Sequence, residues 1–348
     1  MIEWSIFNTR MKNTLKVGVL MGGPSLEHEV SLNTGTVVLE NLDKNKYEAL
    51  PIRVDKDGQW FINGKPTSLE KAFRGFNVIF NALHGTFGED GRVQALMEYY
   101  SVRYTGSGIT ASALAMDKLR SREIFKLAGL QVPNTLKIRK GENYQALLNV
   151  FVNKITNFPV VIKPCSNGSS VGVEIANNHD DLEKAIKSAF KIDKKVLIEE
   201  FIVGREMTCG VLDNFDGQFV AALPVTEIVP KRGHQFFDYK AKYKSGHSDE
   251  ITPADLDEET TRKIQGIAVR THQILGCKAY SRTDMIIKTV RQDQLEFGSV
   301  SKDFNNIYVL ETNTLPGLTS ASLLPKAALV AGLTLSQLLD KIIDNSLA

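Results

Sequence analysis

Short apolar runs alternate with turns and with longer runs of helical spacing through the first part of the chain. Lys16–Met21 predicts a strand, Gly22-Gly23-Pro24-Ser25 a turn and Val30–Leu42 a helix, with further strands at Tyr47–Val54 and Val78–Leu83. That alternation predicts a small parallel sheet. Val93–Tyr100 and Ala111–Leu130 carry helical spacing, and Gly129 followed by Pro133 ends the second helix. A middle segment predicts a strand at Phe158–Lys163, a Gly/Ser loop at Ser166–Gly172, a helix at Asp180–Phe190 and a strand at Val196–Phe201. Strands at Thr208–Leu212 and Phe219–Pro224, a long helix at Asp257–Leu275 and a terminal helix at Ser336–Ser346 follow. The predicted organisation is a tail (1–15), a Rossmann-like parallel-sheet unit (16–116), an α+β unit (117–207) and a last unit (208–348).

Two more patterns bear on function. Ala279–Val290 and Ile307–Thr312 are strand-like, and the charged, Gly-containing Arg291–Asn306 reads as the connection of a long hairpin. Val229–Pro253 is polar yet carries Phe236, Phe237, Tyr239 and Tyr243, which a purely solvated linker would not need, so it reads as a lid.

The chain has 348 residues, 43% of them apolar and 24% charged, with net charge +2, as in an ordinary globular protein of two or three domains. This balance offers no argument for a nucleic-acid or membrane partner. No stretch reaches the roughly 18 apolar residues of a membrane span, and Met1–Lys16 lacks a signal-peptide core. Cys165, Cys209 and Cys277 are widely spaced, which argues against a disulfide framework or a zinc site and for a reducing cytoplasm.

Arg282-Thr-Asp284 and Glu311-Thr-Asn313 are i, i+2 pairs, and alternate residues of a strand share a face. If the arms pair antiparallel, Asp284 lies across from Glu311 and Asn313, giving three hard oxygens beside a permanent cation, a set that suits magnesium. An ordinary polar face of a hairpin would read the same way. Neither GxxxxGK[ST] nor a complete GxGxxG is present. Gly168-Ser169-Ser170-Val171-Gly172 after Lys163 could instead fold over phosphates, with Lys118 as a second cation. Glu199-Glu200-Phe201-Ile202 with Glu206 would suit adenine and ribose. Glu27 is placed to pair with a ligand ammonium, and His84 opens toward the same edge if the sheet is parallel. HExxH and GxSxG are both missing, so metal, positive charge and positioning fit better than covalent catalysis. That is the logic of phosphoryl transfer.

These motifs, taken in order, resemble the D-alanine–D-alanine ligases of the ATP-grasp group. The series is Gly22-Gly23-Pro24-Ser25 with Glu27-His28-Glu29-Val30-Ser31, Leu83-His84-Gly85, Gly88-Glu89-Asp90-Gly91, Tyr104-Thr105-Gly106-Ser107-Gly108, Met116-Asp117-Lys118 and Lys163-Pro164. The Gly168–Gly172 loop, Asp238-Tyr239-Lys240-Ala241-Lys242-Tyr243, Arg282-Thr283-Asp284 and Glu311-Thr312-Asn313-Thr314-Leu315-Pro316-Gly317 complete it.

The resemblance implies an ATP-grasp fold with nucleotide bound between the central and C-terminal units, and ligation of two D-alanines through a D-alanyl phosphate for cell-wall synthesis. It implies that Glu27 holds the first ammonium group and that Lys118 and Lys163 contact phosphates. Ser170 and Lys242 join the nucleotide side, Glu199, Glu200, Phe201 and Ile202 line the adenine pocket, and Glu206 binds ribose. Asp284, Glu311 and Asn313 would carry magnesium (two ions, or manganese), while Arg282 and the Gly317 N–H stabilise the oxyanion. His84, Ser322 and Leu323 would serve the amino-acid substrates, and Ser169 and Tyr243 a hydrogen-bonded set with Glu27 under the lid. A cytoplasmic homodimer is expected. The chain departs from the pattern at Glu200, where some members carry lysine, in the long Arg291–Asn306 connection, and in the first fifteen residues. Ligases forming D-alanyl-D-lactate or D-alanyl-D-serine, and a nucleotide-binding regulator without catalysis, are the alternatives; a dehydrogenase lacks its glycine fingerprint.

Overall fold

The computed structural model describes residues 14–165, 172–230, 248–289 and 306–347. Residues 1–13 of the predicted tail, all of the Ser166–Gly172 loop but Gly172, the body of the lid and most of the hairpin connection lie outside the described residues; the tail ends earlier than expected, because Leu15 already opens the first strand.

The first unit is built on β1 (Leu15–Gly22), α1 (His28–Asn41), β2 (Tyr47–Val54), β3 (Trp60–Ile62), β4 (Lys65–Thr67), α2 (Leu69–Phe73) and β5 (Val78–Asn81). Its sheet runs β4-β3-β2-β1-β5, with β1 parallel to β2 and β5 as expected. The last six residues of β1 are buried, as the centre of a sheet covered on both faces requires. The antiparallel β3 and β4 are additions that the spacing reading missed. Asn63 and Gly64, both at positive φ, form the two-residue turn joining them, and Asn-Gly is a strong hairpin signal.

Next come α3 (Arg92–Tyr99), α4 (Ile109–Met116) and α5 (Lys118–Leu127). The single helix expected over Ala111–Leu130 is therefore two. Asp117 breaks it: its side chain accepts from the N–H groups of Leu119 and Arg120, both at 3.2 Å, and so caps a new helix. Phe125 of α5 packs among Met207, Val211, Met285 and Val309, which places α5 against the C-terminal sheet rather than in the central unit.

The central unit holds β6 (Thr135–Arg139), α6 (Gln145–Val150) continued by a π-helical turn (Phe151–Thr156), β7 (Val160–Pro164), β8 (Glu174–Ala176), α7 (His179–Ile192) and β9 (Lys195–Glu200). Its antiparallel sheet is ordered β6-β9-β7-β8. The third unit contains β10 (Gly204–Phe215), β11 (Gln218–Ala222), β12 (Thr226–Pro230), β13 (Ser248–Ile251), α8 (Glu258–Leu275), β14 (Tyr280–Lys288), β15 (Ile307–Asn313), α9 (Leu323–Val330) and α10 (Leu335–Leu347). The division expected at 207 falls inside β10, an unbroken strand paired with β14 from Gly204 to Leu212. β12 and β13 pair antiparallel with Pro230 opposite Ser248, so strands bound the segment read as a lid. Val17, Val19 and Phe80 of the first sheet share one core with Leu212, Tyr280, Leu339 and Ile343, which fixes the first unit against the third. Among the described residues no single helix is long and apolar enough to cross a membrane.

Candidate active site

The hairpin forms as predicted. In the β14–β15 register Asp284 faces Glu311 and Arg282 faces Asn313, so all four share one face of the sheet. The register slips by one residue beyond Asp284, leaving Leu310 as a bulge beside the site. Arg282 forks onto Asp284, Nε to Oδ1 at 2.9 Å and Nη2 to Oδ2 at 3.0 Å. Thr208, opposite on β10, donates to Asp284 Oδ1 at 2.6 Å. On the reverse face, hydroxyl contacts join Thr271 to Thr283 at 2.7 Å and Thr283 to Thr312 at 3.0 Å, so helix, strand and strand are pinned behind the charged face.

Lys118 opens α5 and reaches Glu311 Oε2 at 2.7 Å. Burial alone would lower its pKa, but the carboxylate of Glu311 more than offsets this and raises it, so Lys118 stays charged.

Glu27 sits at the N-terminus of α1, 5% exposed. Its N–H donates to Ser25 Oγ, whose hydroxyl donates to the His84 carbonyl, tying the two loops together. Gly85 follows at φ +69, and a Cβ there would stand 2.5 Å from Glu27 Oε2. Only glycine leaves room for that carboxylate. The buried His84 ring meets Thr34 Oγ1 at 2.8 Å through Nε2.

Glu27, His84, Lys118, Arg282, Glu311, Asn313, Gly317, Ser322 and Leu323, drawn from all along the sequence, line one cavity of about 400 Å³. Gly317 lies against Ser322, whose Oγ would be 2.8 Å from any Cβ added at position 317.

Lys118 aside, the expected nucleotide residues that are described form a second group, outside that lining. Lys163 lies 2.9 Å from Glu199 Oε2, and Glu199 is also gripped by Arg122. Glu199 is 1% exposed, and its carboxylate belongs to this ion cluster. Burial would push its carboxyl up, but Arg122 and then Lys163 hold it down at about 2. Glu200 accepts from Asn134 Nδ2 at 2.8 Å and lies 3.9 Å from Lys288, so its side chain ties β9 to neighbouring segments. Ile202 is buried, Phe201 and Glu206 are partly exposed, and Glu206 pairs across β14 with Ile286. Ser169, Ser170, Lys242 and Tyr243 lie outside the described residues.

Sequence reasoning missed Arg122, Thr208, Glu250 and Lys326. Arg122 had a signal, standing one helical turn after Lys118 on the same face. Asp284, Glu311 and Asn313 are hard oxygen donors on one face, Asp284 held by Thr208 and Arg282, Glu311 by Lys118 and Asn313 by the Leu315 N–H, and this donor chemistry fits a magnesium or manganese ion.

Comparison with known proteins shows the family. The family model described as D-ala D-ala ligase C-terminus matches residues 124–344, and that for the N-terminus matches 16–75 and 63–107. A D-alanine–D-alanine ligase of Syntrophobacter fumaroxidans is 41% identical over 333 residues, covering 96% of this chain and 98% of that protein. One from Clostridium beijerinckii is 38% identical over 335 residues, covering 96% and 99%. Among solved structures, the D-alanine-D-alanine ligase of Coxiella burnetii superposes with TM-score 0.80 at 26% identity, covering 96% of this chain and 94% of that one. The VanG D-Ala:D-Ser ligase of Enterococcus faecalis gives 0.78 at 32% identity, covering 96% and 99%. The Bacillus anthracis D-alanine–D-alanine ligase complexed with ATP gives 0.74 at 33%, covering 96% and 98%.

Proposed function

The chain belongs to the D-alanine–D-alanine ligase family, and from that premise we propose how its cavity joins two D-alanine molecules at the expense of ATP. The observation that carries the reading is one cavity of about 400 Å³ whose lining brings together Glu27, Arg282, Glu311, Asn313, Gly317 and the N-terminal residues of α9, Ser322 and Leu323. Two small amino acids and the end of a triphosphate need a space of this order.

A free carboxylate is a poor electrophile. Phosphorylation by ATP turns the first D-alanine into an acyl phosphate, which the amine of the second attacks, releasing phosphate and D-alanyl-D-alanine for peptidoglycan precursors. Glu27 holds the ammonium of the first D-alanine and so turns its carboxylate toward the phosphates. His84, fixed by Thr34, forms the wall beside it. Lys118 and Lys163 bring positive charge to the phosphate oxygens. Glu200, Phe201 and Ile202 border the adenine, and Glu206 takes the ribose. Asp284, Glu311 and Asn313 would hold magnesium or manganese, which would supply charge neutralisation at the transferring phosphoryl group.

The carboxylate of the second D-alanine is received by the Ser322 hydroxyl and the Leu323 N–H, at the positive end of α9. Attack produces a tetrahedral oxyanion. Arg282, held by its fork to Asp284, and the Gly317 N–H stabilise it. Ser169 and Tyr243, with Ser170 and Lys242 on the nucleotide side, belong to the cover that keeps water from the acyl phosphate. The enzyme works as a homodimer in the cytoplasm, where its ATP is available.

Phosphate release from Mg·ATP with D-alanine, L-alanine, D-alanine plus D-serine, and D-alanine plus D-lactate, with products weighed by mass spectrometry, tests this. D-alanyl-D-alanine as the main product supports it. A mixed product would assign the D-serine or D-lactate type, and ATP binding without phosphate release in any mixture would make the chain a regulator.

A further inference from the structure

Arg122 is a buried cation, its side chain only 3% exposed. Its guanidinium donates in three directions. Nη1 bonds Glu199 Oε1 at 2.5 Å and Thr135 Oγ1 at 2.9 Å. Nη2 bonds Glu199 Oε2 at 3.1 Å and the Leu310 carbonyl at 3.2 Å, and Nε reaches that same carbonyl at 3.3 Å. Leu310 is the bulged residue of β15, immediately before Glu311, and Glu199 lies on β9 of the central sheet. One side chain on α5 therefore binds the hairpin of the third unit to the sheet of the second.

Its charge matters as much as its reach. Glu199 carries one negative charge and meets two cations, Arg122 and Lys163, the latter at 2.9 Å. The three sum to one positive charge. Without Arg122, Lys163 and Glu199 would be a neutral buried pair, and the charge of Lys163 would be spent internally. With it, an anion in front of Lys163 meets a net positive cluster whose position is fixed relative to Glu311.

We infer that Arg122 is a positioning residue for the nucleotide phosphates: it balances Glu199 so that Lys163 keeps its charge for ATP, and it locks the Leu310 bulge to the central sheet. The inference rests on the reading of Lys163 as a phosphate contact.

The test is ATP affinity by titration calorimetry on the full chain, with KM for D-alanine and circular dichroism alongside. R122M is expected to weaken ATP binding about tenfold, as loss of one nearby charge would, while KM for D-alanine stays within twofold. R122M/E199Q restores the net positive charge through Lys163 and should return ATP affinity to within about threefold of wild type. A merely structural tie predicts the opposite, a double variant as weak as R122M, and that result would overturn the inference. So would wild-type affinity in R122M. If R122M does not fold, E199Q alone decides: with both cations kept, ATP should bind at least as tightly as to wild type, and a tenfold loss would refute the charge-balance role. K163M separates the premise from the inference, since unchanged ATP affinity there removes Lys163 from the phosphate site and the proposal with it.

Discussion

Lys118 Nζ lies 2.7 Å from Glu311 Oε2, so the first residue of α5 is clamped to the strand that carries the oxygen ligands. The pair is mostly shielded, with side-chain exposures of 11% and 25%, and both partners line the cavity. Neutralising Glu311 removes the charge of a proposed metal ligand and the partner of Lys118 in one step. Glu311→Gln should lower kcat by roughly a hundredfold or more, the scale of losing one electrostatic contact in a closed site, with native-like circular dichroism. Wild-type turnover in a folded variant would remove Glu311 from the metal site.

Ser322 occupies the N-cap of α9 without capping it; its hydroxyl meets Thr319 Oγ1 at 2.8 Å. A working serine cap contributes about 1 kcal/mol, so Ser322→Ala should cost less than that in urea unfolding. Its effect belongs in binding instead. KM for the second D-alanine should rise about tenfold, the weight of one hydrogen bond to a charged group, with KM for ATP unchanged. A large stability loss with unaltered KM would make Ser322 a structural residue.

Glu250 contributes a carboxylate to the cavity near the α9 end proposed to receive the second substrate's carboxylate, an arrangement that would repel the ligand if left uncompensated. Lys326, on the first turn of α9, lies 2.5 Å from Glu250 Oε2 and supplies the compensation. Lys326→Met should therefore raise KM for the second D-alanine several-fold, and the double variant with Glu250→Gln should bring it back toward wild type. Additive losses in the two single variants, with no recovery in the double, would show that the charges do not act through one another.

The features legible in the sequence were those encoded by local spacing. Arg282, Asp284, Glu311 and Asn313 announced their shared face because strand alternation has a period of two, and the β14–β15 register places them there. The break at Asp117 was hidden because apolar spacing runs through Ala111–Leu130 unbroken; only the capping bonds to Leu119 and Arg120 reveal it. Lys326 was hidden for another reason, and Arg122 showed only its helical spacing from Lys118. Charged side chains are solvated by default, and the carboxylates that engage these two lie 77 and 76 residues away in the chain. Glu199 shows the converse: its place at the end of an apolar strand suggested a ligand contact, while its charge is consumed by Arg122 and Lys163.

That burial of Glu199 makes stability depend on pH in a defined window. Its carboxyl, ordinarily near 4.5, titrates at about 2 in the folded chain: burial opposes ionisation, and Arg122 and Lys163 more than overcome it. A folded-state value below the unfolded one means that the unfolded chain binds the proton first as pH falls. The contribution is therefore complete above about 4.5 and is lost progressively toward 2. The shift corresponds to roughly 3 kcal/mol. Urea unfolding of wild type and Glu199→Gln from pH 6 down to 2.5 isolates it from the other carboxylates. The gap in stability between the two should be widest above pH 5 and should close by most of that amount on acidification. A gap that stays constant across the series would mean that the Arg122–Glu199–Lys163 cluster does not hold the carboxylate ionised, and would also remove the charge count on which Arg122's proposed role depends.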